Sequence, residues 1–177
     1  MLIRQILDAF SAEIKSLESF TSDLTTSPDA LACVREVVEL FTPSFVLNEM
    51  QLELAVNTNI TVGWTVIGDK SRLERILTNL VENAFRHSPP ASTVTVSLQQ
   101  DKEYVLFTVD DEGFGVPPEN VDSLFQKFSQ GNTNRGRIGI GLYFCRITVE
   151  RWGGTIGYLP RPDKGSRFWF RLPKPKV

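Results

Sequence analysis

Asn79 and Asn83 stand four residues apart in Arg75-Ile-Leu-Thr-Asn79-Leu-Val-Glu-Asn83-Ala-Phe-Arg86-His87-Ser88. On a helix that spacing puts both amides on one face, while Leu77, Leu80 and Ala84 turn to a core. An amide carbonyl is a neutral hard oxygen that can complete a magnesium shell without adding charge repulsion against phosphates. Arg86, one turn beyond Asn83, could meet a phosphate oxygen. The same spacing also suits two polar residues on the wet side of an amphipathic helix, and the segment alone does not decide.

Three further segments could touch a nucleotide. Asp110-Asp111-Glu112-Gly113-Phe114-Gly115 runs from an expected strand end into a D-x-G-x-G turn. A carboxylate there can accept a hydrogen bond from an exocyclic ring amine, and the glycines let backbone approach the ring without Cβ interference. An acidic turn after a strand is the plainer alternative. Arg135-Gly136-Arg137-Ile138-Gly139-Ile140-Gly141-Leu142 feeds glycine-rich backbone into a helix N-terminus, a ready anion site, with two mobile arginines. It is not a P-loop, because no Gly-Lys-Ser/Thr follows. In Gly165-Ser166-Arg167-Phe168, the Ser166 hydroxyl could support the base-binding carboxylate.

These residues need elements to hold them. Leu73, Ile76, Leu77, Leu80, Val81 and Ala84 predict an amphipathic helix over Lys70–Arg86, ending before Pro89-Pro90. Thr93–Gln99 and Tyr104–Asp110 predict a hairpin turning at Asp101-Lys102. Gln51–Val56 and Thr61–Ile67 read as strands joined by an Asn-Thr-Asn turn, and Thr155–Tyr158 with Ser166–Leu172 as a final strand pair. A helix over Ile140–Trp152 stops at Gly153-Gly154. Residues 126–138 are polar, glycine-containing and almost without apolar anchors, the composition of a lid. Upstream, Leu2, Ile6, Phe10, Ile14, Leu17, Phe20 and Leu24 recur at helical spacing, and a second helix spans Ala30 to about Phe45. The expected organisation is a helical arm over 1–28 and an α+β sandwich over 29–177, not a regular βαβ alternation.

Composition narrows the classes. The chain has 177 residues, and 19 Lys and Arg against 21 Asp and Glu give a net charge of -2. That balance argues against a protein built to grip duplex nucleic acid. The basic end from Arg161 to Lys176, with six basic residues and one acidic, reads as a solvated edge. No apolar run approaches the roughly 18–20 residues of a membrane span, so no membrane contact is expected. Cys33 and Cys145 lack metal-ligand spacing and read as buried, reduced thiols of a cytosolic domain. A single histidine, His87, excludes any site needing two imidazoles.

The order and spacing of the four segments resemble the catalytic ATP-binding domain of sensor histidine kinases, in the GHKL ATPase superfamily. The resemblance runs from about Gly68 to Leu172 and includes Leu124-Phe125-Gln126-Lys127-Phe128 as the phenylalanine box. It implies a two-layer α/β sandwich with a mixed, mostly antiparallel sheet and helices on one face. It implies ATP and Mg2+, with Asn83 on the metal and Asn79 beside the phosphates. Asp111 would read the adenine amine, Gly113 and Gly115 would shape the base pocket, and Ser166 would support it. Gly136, Gly139, Ile140, Gly141 and Leu142 would cradle phosphates, with Arg86, Arg135 and Arg137 supplying positive charge. His87 takes a place where the family tolerates tyrosine or histidine. Phe125, Lys127 and Phe128 would border the lid, although plain core packing serves the phenylalanines equally.

One position bears on the reaction. By the same resemblance, superfamily members that activate water or serine carry a glutamate one turn before the magnesium asparagine, where this chain has Asn79, which cannot accept a proton. Glu82, adjacent to Asn83, points about 100° away around the helix. An imidazole acceptor already presents a lone pair and needs no such base. Transfer to histidine is therefore the expected chemistry, with a non-catalytic ATP-sensing module as the alternative. The family's acceptor histidine sits on a dimeric hairpin, and none precedes His87. The expectation is a fragment that binds Mg-ATP without phosphorylating itself and needs a histidine-bearing dimerisation domain. A response regulator would be an indirect partner, and residues 1–26 a possible homodimer contact.

Overall fold

The computed structural model describes residues 2–18, 27–57, 62–127 and 140–176. Helix α1 spans Leu2–Glu18, α2 Ala30–Leu47, α3 Lys70–His87, α4 Pro118–Val121 and α5 Gly141–Arg151. Strands are β1 Gln51–Val56, β2 Thr93–Gln100, β3 Tyr104–Asp110, β4 Thr155–Pro160 and β5 Ser166–Pro173. They form one sheet in the order β1-β2-β3-β5-β4. Only β1 and β2 run parallel, because α3 crosses between them; the other neighbours are antiparallel. Among the described residues, no helix is long and apolar enough to cross a membrane.

Helices α2, α3 and α5 cover one face of the sheet. Leu73, Ile76, Leu77, Leu80, Val81 and Ala84 of α3 are buried, as their spacing predicts. Opposite them stand Val94, Val96 and Leu98 of β2, Val105, Phe107 and Val109 of β3, and Phe168, Phe170 and Leu172 of β5. The register places Phe107 against Phe170, whose rings stack 4.3 Å apart. Asp29 and Asp69 cap α2 and α3, each accepting a backbone N–H at 2.9 Å, so both helices start at fixed points. Helix α1 rests on α5, with Ile14 buried. Residues 19–26, the rest of the expected first helix, lie outside the described residues.

The hairpin β2–β3 and the pair β4–β5 match expectation, but Thr61–Ile67 does not. Its described part makes a single bridge, Thr65 to Asp29, in place of a strand paired with β1. The inner edge of β1 is taken by β2. Residues 64–67 instead tie down the start of α2 and the end of β5. Ala30 N–H donates to the Trp64 carbonyl (2.9 Å), Val66 N–H to Pro28 (3.1 Å) and Ile67 N–H to Pro173 (2.8 Å). The alternating pattern is met by burying Val66, not by a second ladder.

Candidate functional site

The sheet delivers its best-defined polar group at the end of β3. Asp111 is 2% exposed, one residue beyond the strand. Its N–H donates to the Ser166 carbonyl (2.9 Å), and its Oδ1 accepts from the Gly113 N–H (2.9 Å) and the Ser166 N–H (3.2 Å). The Ser166 main chain, not its hydroxyl, therefore supports the carboxylate. Oδ2 accepts no hydrogen bond from a described residue. Burial pushes this carboxyl above its ordinary pKa, against the two N–H donors, His87 and Arg161, which favour the charged form. The carboxylate is therefore fixed through one oxygen, and the other is left able to accept a further hydrogen bond.

Glycine makes this approach possible. A Cβ on Gly113 would stand 2.2 Å from the His87 carbonyl, so the loop lies directly on the end of α3. Gly165, at φ +104°, passes so near Asp111 that a Cβ would fall 1.9 Å from its carbonyl oxygen. Gly115 adopts φ +78°, and a Cβ there would make ordinary contacts with the Gly165 carbonyl (3.6 Å) and the Tyr158 hydroxyl (3.7 Å).

On α3, Asn79 and Asn83 occupy successive turns, both half-buried. Asn79 Nδ2 reaches the Gly141 carbonyl (3.4 Å) and Cys145 Sγ (3.8 Å), tying α3 to the start of α5. Asn83 makes no hydrogen bond to a described residue through its amide. Among the described residues no group of three or more His, Cys, Asp or Glu could hold a metal. A divalent ion seated at Asn83 would draw its other oxygens from a nucleotide and solvent, which suits a metal that arrives with the phosphates.

The remaining expected residues divide. His87 joins the site through its carbonyl under Gly113. Its imidazole is exposed but held below its ordinary pKa, first by local desolvation, then by Arg86. Arg86 is exposed, with Nε directed back to the Glu82 carbonyl of its own helix (3.4 Å). Phe125 packs edge-on to Phe168, a core contact compatible with a place at the near end of the 126–138 segment. Lys127 places Nζ 5.3 Å from the Tyr143 ring. Ile140 is buried and Leu142 half-buried at the start of α5. Phe128, Arg135, Gly136, Arg137 and Gly139 lie outside the described residues.

The family described as "Histidine kinase-, DNA gyrase B-, and HSP90-like ATPase" matches residues 68–176, a span that contains Asn83, Asp111, Gly141 and Ser166. The chain belongs to this family. Sensor protein SrrB of Staphylococcus aureus (strain MRSA252) is 31% identical over 117 residues, which is 64% of this chain and 20% of SrrB. The chain thus spans about a fifth of the length of the curated relatives it matches. Among solved structures, full-length ShkA in complex with AMPPNP superposes with a TM-score of 0.78 at 26% identity, covering 91% of this chain and 34% of ShkA. The mycobacterial sensor histidine kinase MprB gives 0.72 at 27% identity, covering 85% of this chain and 99% of that one. By family and by fold the chain is a histidine-kinase-type catalytic ATPase domain, and membership implies ATP with Mg2+.

Sequence reasoning missed three supports of the Asp111 loop. Arg161 Nη1 donates to the Asp111 carbonyl (2.8 Å), the Val116 N–H donates to the Tyr158 hydroxyl (3.1 Å), and the Thr93 N–H donates to Glu112 Oε2 (2.8 Å). Arg161 and Tyr158 sit among ordinary loop and strand residues, with no spacing that marks them. The basic chain end is largely committed to its own neighbours. Arg167 grips Asp110, Arg171 stacks on Tyr104 at 4.5 Å, and Lys174 reaches Gln100 (2.6 Å).

Proposed function

We propose that this domain seats Mg-ATP and passes its γ-phosphoryl group to a histidine on a separate dimerisation hairpin, as part of a two-component sensor kinase. The observation that carries the reading is the buried Asp111 carboxylate, fixed at Oδ1 and open at Oδ2, one loop away from the paired asparagines of α3. Asp111 would accept the adenine amine, with Gly113 and Gly115 giving the ring access. Asn83 would supply one amide oxygen to magnesium, and Asn79 would stand beside the phosphates opposite Gly141. Ser166 would hold the Asp111 carboxylate in place through its main chain. Magnesium, when bound, supplies charge neutralisation on the phosphates.

Asn79, one turn before Asn83, cannot accept a proton, and a neutral imidazole acceptor needs no general base. The chain's own contribution is then positioning and charge, through Asn79, Asn83 and the basic groups Arg86, Lys127, Arg135 and Arg137. Gly136, Gly139, Ile140, Gly141 and Leu142 complete the phosphate side of this reading, with Phe125 and Phe128 at the near end of the lid segment. Residues 1–28 would be an arm derived from the hairpin's second helix, with 29–177 as the catalytic unit. A response regulator would draw phosphate from the hairpin, not from this domain.

Asn83→Ala tests the metal assignment. Magnesium should strengthen ATP-analogue binding to the wild type and leave the variant almost unaffected, a difference of about tenfold in the magnesium effect. Transfer from labelled ATP to an added histidine-bearing hairpin should fall with it. If the variant responds to magnesium as the wild type does, the ion sits elsewhere.

A further inference from the structure

Beyond the Ser166 main chain, the hairpin made by β4 and β5 meets residues 110–116 at three points, and neither Arg161 nor Tyr158 belongs to a motif read from the sequence. Arg167 clamps Asp110 with two bonds, Nε to Oδ1 (2.7 Å) and Nη2 to Oδ2 (2.6 Å), on the face of the sheet away from the helices. Arg161, in the turn, donates to the main-chain carbonyl of Asp111 (2.8 Å). Tyr158, on β4, takes the Val116 N–H at the far end of the loop (3.1 Å), and its ring leans on Phe168. The contacts fall before, at and after the carboxylate, so the loop is held along its length from one side. The bidentate pair is half sheltered, and planar guanidinium–carboxylate geometry fixes orientation as well as distance.

We propose that the β4–β5 hairpin, through Arg161 and Tyr158, is the positioning element that sets how strongly this domain prefers adenine over other purines. This rests on the reading that Asp111 meets the adenine amine. Hydrogen-bond recognition depends on tenths of an ångström, and Oδ2 can be no better placed than the loop that carries it. Arg161 and Tyr158 are positioning residues, since their bonds go to the loop's main chain and not to Asp111 Oδ2.

The test compares ATP with inosine triphosphate, which has a carbonyl where adenine has its amine. Affinities for both are measured on wild type, Tyr158→Phe, Arg161→Gln and Arg161→Lys, with thermal midpoints alongside. Wild type should prefer ATP. Tyr158→Phe, which removes one oxygen and keeps the ring, and Arg161→Gln should each weaken ATP by about tenfold while changing inosine triphosphate little. Arg161→Lys should recover part of the loss, because its ammonium is charged and sits on a longer stem than the glutamine amide, so it can still reach the carbonyl. A role in stability alone would lower midpoints and leave the ATP preference intact, and that result overturns the proposal. If wild type itself binds the two nucleotides equally, the adenine reading of Asp111 fails and the hairpin proposal fails with it. A wild-type preference that persists in the variants removes the hairpin proposal only.

Discussion

Asp111→Asn is expected to weaken ATP binding by about a hundredfold, about 2.7 kcal/mol, while the domain stays folded. The two N–H groups at Oδ1, from Gly113 and Ser166, select the orientation of the new side chain. Asparagine must put its carbonyl oxygen there, which places an NH2 group where Oδ2 was. An acceptor becomes a donor, facing another donor on the base, inside a position only 2% exposed where water cannot compensate. Calorimetric titration of wild type and variant with an ATP analogue measures the change. Equal affinity would remove Asp111 from base recognition.

The same substitution has a pH signature of definite sign. Burial raises the Asp111 pKa above its ordinary 3.8, so the folded state keeps this proton to a higher pH than the unfolded chain does. Stability from this group therefore falls as pH rises from that value through the folded pKa. Asparagine cannot ionise and removes the slope. Relative to wild type, Asp111→Asn should gain thermal stability on going from acid to neutral pH. ATP binding moves the other way, because the wild type loses its acceptor as pH falls through the folded pKa.

The fold was legible where its contacts are local. The β2–β3 hairpin turns at Asp101, whose Oδ1 accepts from Glu103 and Tyr104, and the buried stripe of α3 repeats at helical spacing. The parallel pairing of β1 with β2 was not, because a crossover partner leaves no mark on the strand itself. Thr61–Ile67 misled for a related reason, since Val66 is buried beneath the start of α2 without joining the sheet. At the site, Asn79, Asn83, Asp111 and the glycines stood out because side-chain chemistry or a missing Cβ recurs at fixed intervals. Arg161 and Tyr158 reach the loop across 50 and 42 residues of chain, and both bonds end on main-chain atoms, which any residue type carries. The substitution of the Ser166 N–H for its hydroxyl was illegible on the same ground.

The glycines separate what holds the site from what the site holds. Gly165→Ala puts a methyl 1.9 Å from the Asp111 carbonyl oxygen at a backbone angle of φ +104° that alanine resists. The atom it strikes is main chain already bonded to Arg161, so relief requires parting β5 from the end of β3. A loss of about 3–5 kcal/mol in folding stability is expected, read as a lower urea midpoint, and ATP binding should disappear with it. Gly141→Ala behaves oppositely. Its methyl would meet nothing nearer than the Asn79 side chain at 3.6 Å, an ordinary contact, and alanine suits the first turn of α5. Stability should hold or rise, yet the methyl stands between Asn79 and the helix start where phosphates would approach, and affinity should drop roughly tenfold. Base contacts would survive in that variant, so adenosine, which lacks phosphates, should bind it as it binds wild type. A Gly141→Ala protein that keeps full ATP affinity would move the phosphates away from α5, whereas a Gly165→Ala protein as stable as wild type would show that the close crossing of β3 and β5 does not persist in solution.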